Sequence, residues 1–140
     1  MDKKFFIAWV VIFIAWMAGD FLVHGVLLGD DYMQLAKLYR STAESQQYFP
    51  WMLIAHVLSA GAFTWIFVRG KEVRPWMGQG ARYGLAVAAL TAIPGYLIYY
   101  AVQPLTGELV TKQIIFSTIL LVVLGIIVAW LYREPMTAAT

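Results

Sequence analysis

Residues 5–28 read FFIAWVVIFIAWMAGDFLVHGVLL, an apolar run in which the only ionisable side chains are Asp20 and His24. An α-helix rises ~1.5 Å per residue, so about 20 residues cross a hydrocarbon core, and this run is long enough to do so. An acid and an imidazole four apart stack on one helix face. In a membrane such groups are costly and mark a functional site by default. The run begins after Lys3 and Lys4, like the charged region of a signal peptide, but it is too long, and Trp16 spoils the small-residue cleavage pattern before Ala18. It is read as the first membrane span.

The rest of the composition agrees. Of 140 residues, 61% are hydrophobic and 13% charged, whereas a soluble domain is nearer a quarter charged, so the chain reads as integral to a membrane. Eight Tyr, eight Phe and six Trp suit aromatic belts at the membrane surface. Absence of cysteine removes disulfides, thiolate metal sites and thiol catalysis. No basic tract interleaved with aromatics points to nucleic acid.

Working outward, Gly29-Asp30-Asp31 closes the first span and opens an amphipathic loop, residues 29–48. There Tyr32, Leu35, Ala36 and Tyr39 recur at helical spacing, which predicts a short interfacial helix over 31–40. Ser41 and Glu44 have capping-box spacing and Pro50 suits a first helical turn, so the second span, 49–68, begins near them. A basic turn at 69–75 leads to a third span at 81–102. Its Pro94-Gly95 predicts a kink, because proline removes a backbone donor and clashes one turn back. Gly84, Ala88, Thr91 and Gly95 make a small-residue stripe suited to close helix approach. After the turn at 103–108 the fourth span runs over 109–132, ended by Arg133-Glu134-Pro135. The expected fold is an all-α membrane protein, a single domain over 1–140 built as a four-transmembrane-helix bundle.

Lys and Arg orient it. Lys3, Lys4, Arg69, Lys71, Arg74, Arg82 and Arg133 fall on one side, against Lys37, Arg40 and Lys112 on the other. The positive-inside rule therefore places both ends in the cytoplasm. Counting ~1.5 Å per residue from the span boundaries, Asp20 and His56 lie about 10–12 Å below the outer surface and His24 one turn shallower. Tyr96, Tyr99, Tyr100 and Gln103 of the third span share that half, as do Thr111, Lys112 and Gln113 of the fourth. The inner half offers Thr64, Thr118 and the terminal Arg82, but no comparable cluster.

Several roles suit this cluster. Asp20 or His24 bonded to His56, or Asp20 paired with Lys112, would staple helices together. Asp20, His24 and His56 supply three ligands for a transition metal, and His24 with His56 supplies two axial ligands for haem b, with Asp20 orienting an imidazole. Proton or small-solute conduction by a homo-oligomer is a third role, since Asp–His chains relay protons. Hydrolase chemistry is disfavoured: Ser41, Ser45, Ser59 and Ser117 belong to no triad pattern, and paired catalytic carboxylates are missing.

Three stretches carry a wider resemblance: Val23-His24-Gly25, Ala55-His56-Val57, and Tyr96-Leu97-Ile98-Tyr99-Tyr100 followed by Gln103-Pro104. With them the whole chain resembles the small four-helix proteins of bacterial inner membranes, a group to which no activity is assigned. The resemblance implies a multi-pass inner-membrane location and no reaction. The expectation is a non-enzymatic accessory, assembly or binding protein, embedded in the lipid bilayer and joined to a larger membrane complex or to copies of itself. Its Asp20/His24/His56 cluster is the candidate site, flanked by Tyr99, Gln103 and Lys112.

Overall fold

The computed structural model describes residues 2–133, and all its regular structure is helical. Four helical stretches are long and apolar enough to cross a membrane: Lys3–Leu27, Phe49–Gly70, Trp76–Val102 and Gly107–Leu131. The first comprises α1 (Lys3–Asp20) and a wider π-helical turn (Phe21–Leu27). The short α2 (Gly29–Gln34) and α3 (Thr42–Gln47) follow, then α4 (Phe49–Gly70), which is the second stretch. The third is broken into α5 (Trp76–Leu90) and α6 (Ala92–Val102), and the fourth is α7 (Gly107–Leu131). The predicted stop at Glu134-Pro135 lies outside the described residues.

Each boundary has a local cause. Asp2 caps α1, its carboxylate accepting from Phe5 N at 3.0 Å. Ser41 and Glu44 form the reciprocal capping box that their spacing predicts, which starts α3. Thr106 caps α7 by accepting from Leu109 N. The third stretch begins five residues ahead of the expected 81, directly after Pro75. Its break is at Thr91 (φ −120°, ψ −72°) rather than at Pro94 itself. Proline clashes with the carbonyl four residues back, here Leu90, so the helix yields one turn ahead of the ring. The Thr91 hydroxyl turns back to donate to the Val87 carbonyl at 2.7 Å, which also accepts from Thr91 N at 2.9 Å.

α7 is the organising strut, packed against α5, α6 and α1, with α4 packed mainly on α1 and also touching α7. The closest approach is between α5 and α7, where Gly80 and Gly84 face Gly125. A Cβ on Gly84 would land on the Leu121 and Val122 backbone, and one on Gly125 would land on Gly80. The small-residue stripe is thus spent within the chain, with Gly84 and Ala88 buried. Thr91 and Gly95 leave it beyond the break, and Gly95 has open space beside it. The main core, Ile12, Phe63, Phe67, Ala88, Leu121, Leu124 and Val128, fills the seams between these helices. Most other large apolar side chains point outward; Phe21 is 72% exposed and Leu90 77%, as expected of helices that meet lipid on one side.

The loop helix departs from expectation. Instead of running over 31–40, α2 spans Gly29–Gln34 and gives way to tight turns in which Leu35, Ala36 and Leu38 donate only three residues back. Tertiary contacts stop it. Leu28 and Leu109 are fully buried together with Val23, and Tyr32 and Leu35 pack on them. This second small core fastens the loop onto the start of α7.

Candidate functional site

The π-turn decides which way the polar side chains of the first stretch point. Leu28 N donates to Val23 O at 2.9 Å, five residues back instead of four. Such wide turns are rare and recur at functional sites. Each residue then advances through a smaller angle, so Asp20 and His24 do not simply stack as an ideal α-helix predicts. Asp20, the last residue of α1, faces α4. His24, inside the wide turn, faces α2 and α6.

Asp20 Oδ2 lies 2.7 Å from His56 Nε2, while His56 Nδ1 lies 2.8 Å from its own Met52 carbonyl. That second contact fixes the proton count. A carbonyl only accepts, so Nδ1 carries a proton. One more proton then occupies the Asp20–Nε2 contact, and wherever it sits the pair has no net charge. Trp16 packs edge-on against the His56 ring, with centroids 6.4 Å apart. His56 and Asp20 keep 13% and 29% of their side-chain surface.

His24 belongs to a separate chain of hydrogen bonds. Its Nδ1 lies 2.7 Å from the Tyr32 hydroxyl, which itself accepts from Gln113 Nε2 at 3.0 Å. A hydroxyl donates once and accepts twice, so the singly protonated His24 ring can donate through one nitrogen and accept at the other in this chain. Nε2 faces the Tyr96 hydroxyl at 3.4 Å, and Ser117 Oγ donates to the same hydroxyl at 3.3 Å. Burial pushes the Tyr32 phenol up to about 12, as expected when the charged form loses hydration.

Asp20 and His24 come together again as walls of one cavity of about 300 Å³, completed by Tyr96, Tyr99 and Ser117 on the polar side and by Trp16, Leu120 and Leu121 on the apolar side. Thr91, Ala92 and Gly95 form its edge, so the α5–α6 break opens the space that the π-turn lines. An apolar chamber with a few convergent polar groups is the usual form of a small-molecule site.

Lys112 does not meet Asp20; it bridges Asp31 (3.0 Å) and Glu108 (2.7 Å), because α2 folds its acid back over the start of α7. Gln103 is exposed at the end of α6 and makes no side-chain hydrogen bond among the described residues. Asp20, His24 and His56 do not converge as ligands, and among the described residues no group of three His, Cys, Asp or Glu side chains is placed to hold a metal ion. All four imidazole nitrogens face hydrogen-bond partners instead, so these residues fit neither the metal nor the bis-histidine haem expectation. Two contributors escaped sequence reasoning. Ser117 carried a signal, since Gln113, Ser117 and Leu121 recur every four residues along one face of α7. Tyr32 carried none, because its approach to His24 depends on how the loop folds back.

No protein-family model, curated protein or solved structure matches this chain.

Proposed function

We propose that this chain is a non-enzymatic binding protein of the bacterial inner membrane, with both ends cytoplasmic, whose Asp20/His24 cavity holds the polar head of a neutral amphiphile. The observation that carries this reading is the cavity of about 300 Å³ in which Asp20, His24, Tyr96, Tyr99 and Ser117 face apolar Trp16, Leu120 and Leu121. Its head-group side offers donors and acceptors but no uncompensated charge: Asp20 is neutralised by His56, and His24 carries a single proton held by the tyrosine network. A neutral hydroxyl or carbonyl suits such a wall, whereas a lone ion would lose its hydration without recovering a counter-charge. The apolar side takes a hydrocarbon tail. The seven-to-three split of Lys and Arg supports the orientation, which puts the cavity toward the outer leaflet with α2 and α3 at that surface. Accessory work within a larger membrane complex, delivering or retaining such a molecule, is compatible with this reading.

Three probes with one tail, decanol, decanoate and decylammonium, test it. Trp16 lines the cavity, so difference fluorescence between the full chain and Trp16→Phe isolates its response. Decanol is expected to change that signal saturably and more strongly than either ion. His24→Leu, which removes the imidazole beside the head group, weakens the response. A Trp16 signal that fails to saturate, or that ranks the ions level with the alcohol, refutes the reading.

A further inference from the structure

The opposite end of the bundle holds a second cavity, which the proposed function does not use. It measures about 390 Å³ and lies between the ends of α4 and α7, the 71–75 turn and the start of α5. We propose that this cavity is a binding site for a phosphate group, borne by an anionic lipid head group or by a soluble phosphate.

Cations dominate its rim. Lys71, Arg74 and Arg133 line the space, and Lys4 of α1 stands over the Tyr132 ring beside it, with Lys4 Nζ 4.9 Å and Lys71 Nζ 5.6 Å from the ring centre. Among the described residues the two nearby acids are already engaged. Glu72 meets Arg74 through Nε at 2.6 Å, leaving the outer guanidinium nitrogens to other acceptors, and Asp2 caps α1. Two further groups lack partners. The Tyr132 hydroxyl is buried and has no hydrogen-bond partner among the described residues, although such groups are nearly always paired. The fifteen-residue α5 starts beside the cavity at Trp76 with no side-chain cap, so its first amides point outward at the positive end of the helix dipole.

The donors thus come from three directions: the 71–75 turn, the end of α7 and the first turn of α5. A carboxylate presents two oxygens in one plane. A phosphate presents its oxygens tetrahedrally and so answers all three directions at once. Phe67, Trp76 and Ala129 supply an apolar flank on which a glycerol or acyl stem can lie. Basic pockets between membrane helices are a recurrent setting for such head groups.

The test uses the full chain, stripped of lipid in neutral detergent, with phosphatidylglycerol, phosphatidylcholine and inorganic phosphate as probes at matched ionic strength. Native mass spectrometry counts bound lipid and thermal unfolding reports protection. Phosphatidylglycerol is expected to bind about tenfold more tightly than phosphatidylcholine, the size of one charge-assisted hydrogen bond. Protection by phosphatidylglycerol alone assigns the lipid head group; equal protection by inorganic phosphate assigns a soluble phosphate compound. The double variant Lys71→Ala/Arg133→Ala changes exposed residues and leaves the fold intact, yet it removes the preference. Arg69→Ala/Arg82→Ala alters basic residues that do not line the cavity and preserves the preference. The proposal is overturned if none of the three probes protects, if the two lipids bind alike and inorganic phosphate gives no protection, or if the control pair costs as much affinity as the cavity pair.

Discussion

Replacing Asp20 by Asn or by Leu distinguishes a shared-proton pair from an ordinary apolar contact between α1 and α4. The structure gives the inputs: a 2.7 Å contact, Nδ1 committed to the Met52 carbonyl, and two side chains that are mostly buried. Hydrogen bonds inside membrane proteins average about 0.6 kcal/mol and reach ~1.7 kcal/mol. A short contact between ionisable groups belongs at the upper end, so Asp20→Leu and His56→Leu should each lower stability by about 1.5 kcal/mol. Asn behaves differently. Its amide donates to the bare Nε2 of a neutral His56, which keeps a hydrogen bond about half as strong, so Asp20→Asn should cost only about 0.7 kcal/mol. The Leu/Leu double variant leaves neither partner stranded and should cost little more than either single change, a coupling of about 1.5 kcal/mol. Reversible unfolding of the full chain in mixed micelles, followed by circular dichroism, measures all four. If Asn costs as much as Leu, or the coupling falls below about 0.3 kcal/mol, the proton assignment is wrong.

Three further outcomes check other parts of the molecule. Gly84→Val should prevent α5 and α7 from closing and abolish the cooperative thermal transition, because its Cβ meets the Leu121 and Val122 backbone. Gly95→Ala, in open space within α6, should raise stability by up to about 1 kcal/mol in the same melt. For Tyr32, whose ordinary value is 10.0 and whose folded value is about 12, the fold holds a proton that the unfolded chain releases. Its contribution is complete below pH 10 and is lost as pH rises from there toward 12. Tyr32→Phe should flatten that part of the stability curve, and an unchanged slope over this window contradicts the assignment.

The sequence alone determined the helices, their breaks and the gathering of polar groups at one end. Hydrocarbon forbids unpaired backbone, so long apolar runs have few alternatives to helix, and Pro94 breaks the third run for a steric reason internal to it. Even there the break fell at Thr91, one turn ahead of the expected pair. Tertiary structure decided how the polar groups pair. Asp20 and His24 read as one stacked unit, but the π-turn aimed one at His56 and the other at Tyr32 and Tyr96. Lys112 had Glu108 one turn away on its own helix, and only the folding back of α2 added Asp31 rather than Asp20. The stripe that ended on Gly84 and Ala88 was legible as a close-packing face, but its partner, Gly125 of α7, lies some forty residues away. Helix formation depends on residues within a few positions of one another. These pairings depend on helix rotation and loop closure, which no local pattern encodes.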